Sequence, residues 1–159
     1  MVKMCNEWVR VMHHQDLDAE QLLFFLIKRT NVAFIRRLNH SFAEAGHDVT
    51  IVQWRILTCL WYKDGQRQQD LADLVHKNKT SITRAVDAME KRDLVVRIHD
   101  RLDRRQNLIY LTDKGKRLRE ELMQIVQKTS LEAQQGIKSE HLDVFRDVLA
   151  KIHGNLSNP

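Results

Sequence analysis

Apolar positions recur at helical spacing along most of the chain. Leu22, Phe25, Leu26, Ala33, Leu38 and Phe42 predict one long helix over residues 17–45, and Gly46 is placed to end it in a left-handed conformation. The block Leu22–Ile27 is apolar on every side, so one face can pack on its own chain while the other calls for a second partner, as at a subunit interface. Thr50-x-x-Gln53 is a capping-box pattern that opens a predicted helix over 51–62, buried through Ile51, Trp54, Leu57 and Trp61. Lys63-Asp64-Gly65-Gln66 reads as a turn, and a short helix over 68–75 carries Leu71, Ala72, Leu74 and Val75. His76-Lys77-Asn78 turns the chain again, with Asn78 as a good N-cap. The helix predicted over 79–92 places Ile82, Ala85, Val86 and Met89 inward and Lys79, Thr80, Ser81, Thr83 and Arg84 outward.

After Asp93 the period changes from helical to extended. Leu94–Ile98 and Asn107–Leu111 are β-branched and aromatic runs around a stretch, His99–Gln106, too polar to bury, which predicts a hairpin with a charged tip. Thr112 then caps a helix over 113–130, a turn follows around Gly136, and Ser139 caps a last helix over 140–153. Helix, short helix, turn, helix and a basic two-stranded hairpin make a winged helix-turn-helix. The fold class is mainly α with a small β-hairpin wing plus a helical dimerisation region. Three parts are expected, 1–48, 49–112 and 113–159, with the middle one for binding.

Composition narrows the function. The 159 residues suit about one domain and can bury a core without disulfides. Five dispersed glycines exclude G-x-G-x-x-G and Walker-type phosphate loops. The longest apolar run has six residues against the ~20 of a membrane span, and the first residues hold no apolar signal region, so a cytoplasmic protein without membrane contact is expected. Net charge is +5, and its distribution is uneven: residues 63–119 hold 15 Lys+Arg against 9 Asp+Glu, a balance of +6, while the remainder stands at −1. A basic stretch of that kind points to a polyanion, most simply double-stranded DNA. In such a fold the second helix enters the major groove (~12 Å wide) and the hairpin tip reaches the backbone or minor groove beside it.

The chain resembles the MarR-type (multiple antibiotic resistance) transcriptional regulators. The residues that carry the likeness are Thr50-x-x-Gln53-Trp54-x-x-Leu57, Gln68-x-Asp70-Leu71-Ala72, the run from Lys79 through Arg84, Val86, Asp87, Met89, Glu90 and Arg92 to Leu94-Val95, and Asp103-Arg104-Arg105 followed by Leu111-Thr112-x-x-Gly115. The chain departs from the family at three places. Asp93 stands where glycine is usual, and His76 stands at a turn position that is commonly glycine. Gln66-Arg67 replace an apolar residue and a Ser or Thr, which removes the usual N-cap of the short helix and puts the wing's small third strand in doubt.

The resemblance implies a homodimeric regulator, most simply a repressor, on a pseudo-palindromic operator, and leaves room for release by a small-molecule or oxidant effector. It implies that Arg105 is the wing arginine aimed at the minor groove and that Asp103 orients it, with Arg101 and Arg104 beside it. Gln68 and Gln69 would supply phosphate contacts, Lys77 and Asn78 would bind phosphate or cap, and Lys79, Thr80, Ser81, Thr83 and Arg84 would face the duplex. The dimer would be built from residues 8–30 with the helices after Thr112. The family's effector pocket would involve Arg37, His40, Trp54 and Arg55, although Trp54 also suits a core. Cys5 is a candidate redox sensor with only Lys3 and Arg10 near it to favour the thiolate, whereas Cys59 suits the core. The eight histidines form no zinc-site spacing, and no paired carboxylates or nucleophile elbow appear, so no metal, no cofactor and no enzyme are expected. The alternative is a winged-helix protein–protein module without DNA binding. Its mark would be an acidic or apolar face in place of Lys79, Arg84 and Arg105.

Overall fold

The computed structural model describes residues 22–100 and 106–157. Helix α1 spans Leu23–Glu44. It starts later than the pattern predicts, at an extended Leu22 with no side-chain cap, and residues 17–21 lie outside the described residues. Its end follows expectation. Gly46 sits at φ 80°, the Gly46 N–H donates to Ala43 O, and the His47 N–H donates to Phe42 O at 2.8 Å. That 6→1 and 5→2 pair satisfies the last carbonyls.

Helix α2 spans Ile51–Tyr62 and opens on the complete capping box, in which the Gln53 N–H donates to Thr50 Oγ1 and the Thr50 N–H donates to Gln53 Oε1. Its buried stripe is Gln53, Ile56, Leu57 and Leu60, rotated from the predicted one; Ile51, Trp54 and Trp61 are only half-buried. Ile51 and Trp61 are drawn to the edges, where the Trp61 indole N–H donates to Gly115 O at 3.0 Å.

Strand β1 (Gln66–Arg67), helix α3 (Gln68–Leu74) and helix α4 (Lys79–Lys91) follow, then strands β2 (Val95–His99) and β3 (Asn107–Leu111). The sheet order is β1-β3-β2, antiparallel, with Val95 opposite Leu111, Arg97 opposite Ile109, and Gln66 opposite Ile109 on the other side. The small third strand therefore forms despite its polar residues. Pairing uses backbone groups, and the Gln66 amide is occupied elsewhere, donating to Cys59 O at 2.8 Å and Lys63 O at 2.7 Å at the end of α2. Gly65 makes the approach possible: at φ 69° it lies under the Tyr110 ring, where a Cβ would meet a ring carbon at 2.5 Å. Arg67, at the N-cap of α3, gives no side-chain cap, as the departure from the family implies. His76 and Asp93 take φ 52° and 57°, so both stand in the left-handed conformation that a glycine would enter freely.

Helix α5 (Asp113–Ala133) is capped by Thr112, whose hydroxyl accepts from the Gly115 N–H, and helix α6 runs over Ser139–Ser157, longer than predicted. Buried side chains from α2 to β3, among them Ile56, Leu71, Ile82, Met89 and Ile109, form one core with Leu38 and Phe42 of α1 and Leu122 of α5. Leu74, predicted as an apolar position of α3, is exposed. Helix α6 buries none of its side chains, and no described helix is long and apolar enough to cross a membrane.

Candidate nucleic-acid interface

The geometry of the site starts at Asn78. Its side chain accepts from the Ser81 N–H at 2.8 Å and holds the first turn of α4 in place. The unsatisfied N–H groups and partial positive charge of that helix end favour an anion. Around it Lys77, Lys79, Thr80 and Arg84 are exposed, and among the described residues these cations make no ion pair. Met89, Val86 and Ile82 anchor the opposite face of α4 in the core. The helix is thus held from behind and presents donors outward.

Two predicted contact residues are already engaged with each other. The Gln68 amide donates to Thr83 Oγ1 at 2.7 Å, and the Thr83 hydroxyl donates to Lys79 O at 3.0 Å. This links the start of α3 to α4. Gln69, exposed, donates to Asp73 Oδ1 at 3.1 Å. Ser81 and Thr83 are half-buried. Arg101, Asp103, Arg104 and Arg105 lie outside the described residues, as does Cys5.

Several cations of the basic stretch pair with carboxylates of the same chain, which composition alone does not reveal. Arg92 pairs with Asp48 at 3.1 Å, Arg67 with Asp100 at 3.7 Å, and Arg97 with both Asp87 and Glu90. The available signal for the last was local: Asp87 and Glu90 stand one turn apart on α4, and Arg97 follows on the strand that folds back beside it. Fewer of these cations are unpaired than the residue count suggests, and Lys77, Lys79 and Arg84 at the start of α4 are among the unpaired ones.

Of the four effector candidates, Arg37 and His40 meet at Glu44. Arg37 donates through Nε and Nη2 to Glu132, at 3.2 and 2.9 Å, and reaches Glu44. The Glu132 hydrogen bond and its charge push the Arg37 pKa further up. His40 lies 3.3 Å from Glu44. Arg55 is half-buried, and the Trp54 indole N–H is buried without a partner among the described residues. An open groove of about 580 Å³ runs along α5, lined by Gln124, Gln127, Lys128, Leu131, Glu132 and Gln135, and touches none of the four candidates. Cys59 is half-buried against the core; burial pushes its thiol pKa up, against thiolate chemistry. No group of three His, Cys, Asp or Glu that could hold a metal occurs among the described residues.

Residues 49–106 match the MarR family model. Among solved structures, the chain is similar to a transcriptional repressor, CouR, bound to a 23-mer DNA duplex, at TM-score 0.76 and 24% identity, covering 87% of this chain and 99% of that one. It is also similar to a MarR-family transcriptional regulator from Rhodococcus sp. RHA1, at TM-score 0.75 and 25% identity over 87% of this chain and 96% of that one. A third likeness is to CouR from Rhodococcus jostii RHA1 bound to p-coumaroyl-CoA, at TM-score 0.70 and 25% identity over 84% of this chain and 92% of that one.

Proposed function

We propose, from the premise that residues 49–106 are of the MarR family, that this chain is a sequence-specific double-stranded DNA-binding regulator acting as a homodimer. The observation that carries the reading is the start of α4: an Asn78-capped helix, backed by the core, presenting Lys77, Lys79, Thr80 and Arg84 to solvent without ion-pair partners among the described residues. Lysine and arginine there neutralise phosphates, while Thr80 and Arg84 meet base edges. Arg105 of the wing tip would enter the flanking minor groove, with Asp103 orienting it and Arg101 and Arg104 on the backbone.

The dimer reading is supported by apolar side chains left at the surface of α1 and α6, including Leu23, Phe24, Val144 and Phe145. A twofold pair of α4 helices fits successive major grooves about one turn apart, hence a pseudo-palindromic operator and repression by occlusion. Residues 1–48 and 113–159 would form the dimerisation parts around 49–112. A small-molecule effector would act beside Trp54, whose indole N–H is a buried donor, and release DNA by favouring a different spacing of the two α4 helices. In this reading the protein is a cytoplasmic regulator, not an enzyme.

Selection from a random duplex pool, followed by binding across a salt series, tests the reading. A pseudo-palindromic winner with a steep salt slope is expected; weak, uniform binding to every duplex overturns it. With the winner in hand, Arg105→Ala should weaken binding by about 1–3 kcal/mol in a fluorescence-anisotropy titration.

A further inference from the structure

Arg97 stands on β2 with the same parity as the buried Val95, so its side chain turns towards α4 and not to the outer face of the wing. Its Nη2 lies 2.5 Å from Asp87 Oδ1, its Nη1 pairs with Glu90 Oε2, and its backbone N–H donates to Glu90 Oε1 at 3.1 Å. Glu90 thus grips both the guanidinium and the strand backbone. The side chain is 20% exposed, and the two carboxylates occupy both edges of its fork. A planar five-donor group held in this way has a fixed direction and little charge to spare for phosphate.

We infer that Arg97 is a positioning residue, the clamp that fixes the wing stem against the DNA-reading helix, and that it contributes to operator recognition without touching DNA. The inference rests on the DNA-binding reading above. Other contacts hold the stem at its foot and along its β1 edge: the Leu94 N–H donates to Met89 O, the Thr112 hydroxyl donates to Asp93 O at 2.6 Å, β1 pairs with β3 at Ile109 and Leu108, and Arg67 lies 3.7 Å from Asp100. Arg97 ties the stem to α4 further up, two residues before the β2–β3 ladder ends at His99 and Asn107. With about 3.3 Å of rise per residue, a tilt of about 10° at the clamp displaces Asp100, where the described stem ends, by about 2 Å. Such a shift is enough to misplace a side chain that must enter a groove while α4 occupies its neighbour. The clamp also offsets part of the charge of two α4 carboxylates beside a polyanion.

The two roles, positioning and neutralisation, separate by sign. In the double variant Asp87→Asn/Glu90→Gln the protein loses two negative charges, so neutralisation alone would tighten binding to every duplex. Positioning has the opposite effect: binding to the duplex enriched by the wild-type protein should weaken about tenfold, with minor-groove protection lost from the hydroxyl-radical footprint and major-groove methylation protection retained. A scrambled duplex should be bound no more weakly than by wild type. Arg97→Met should lose a similar amount, the triple variant no more than either, and the salt slope should be unchanged. Equal or tighter binding of the enriched duplex by the double variant overturns the inference. So does a fall of about one in the salt slope for Arg97→Met, which marks a phosphate contact. If Arg97→Met melts early by circular dichroism, the double variant, altered at two half-exposed surface positions, decides alone. Should wild type enrich no duplex, the DNA-binding reading falls and this inference falls with it, an outcome distinct from a normal wild type with an unaffected double variant.

Discussion

Residues 49–111 and the outer helices treat their apolar side chains in opposite ways. From Val49 to Leu111 the chain builds most of the core: Leu57, Leu71, Ile82, Val86 and Ile109 are fully buried, while Tyr62, Leu74, Val96 and Ile98 are its large apolar side chains left exposed among the described residues. In α6 no side chain is buried, and Val144, Phe145 and Leu156 stand 62%, 55% and 80% exposed. The first turns of α1 likewise expose Leu23 and Phe24. The difference teaches that the central part carries its rigidity within one chain, whereas the outer helices hold an apolar surface that one chain leaves uncovered. Under the dimer reading, the shape of each reading head is intrinsic, and the distance between two heads belongs to the contact between copies. An effector would then need to alter only the latter.

The contrast can be broken or sharpened by substitution. Leu57→Ala, at a fully buried position, should cost about 2–5 kcal/mol in urea unfolding, because the core has no slack to fill the cavity. Gly115→Ala should follow with about 1–3 kcal/mol and a lower Tm: a Cβ there would lie 2.1 Å from Leu94 O, a backbone atom that cannot swing aside. Thr50→Ala removes the hydroxyl that accepts from the Gln53 N–H and should cost about 1 kcal/mol in the same unfolding assay. Phe145→Glu should change the stability of the protomer by no more than about 0.5 kcal/mol, yet convert dimer to monomer in sedimentation velocity. A large loss of protomer stability from Phe145→Glu would show that α6 supports the core, against the contrast drawn here.

The core and the site were legible in the sequence to different degrees. The capping box at Thr50 and Gln53, the Asn78 and Thr112 caps, and the stop at Gly46 all depend on residues within four positions of each other, and all occur as read. The exposed face of α4 followed from a 3.6-residue period with one clear apolar side. The buried stripe of α2 lies a step out of phase with the one its period predicts. That helix is apolar nearly all round, so periodicity cannot choose its buried side; contact with α4, α5 and β3 does. Strand β1 was in doubt because its residues are polar, while its existence depends on Gly65 fitting under Tyr110 and on the Gln66 amide finding two carbonyls. Gln68 and Thr83 read as two separate DNA contacts; in the fold they bond to each other across 15 residues of sequence.

By itself the sequence determined the order of helices, caps and wing strands, the basic character of the stretch 63–119, and the match of residues 49–106 to the MarR family model. These follow from local propensity and periodicity, which act over a few residues at a time. Only the tertiary structure decided which of those charges remain free. Arg67, Arg92 and Arg97 count as cations in the composition, but each meets a carboxylate brought from another element, and Lys77, Lys79 and Arg84 are left to the solvent. Charge is additive along a chain, whereas its availability depends on distance in space, and that is set by packing.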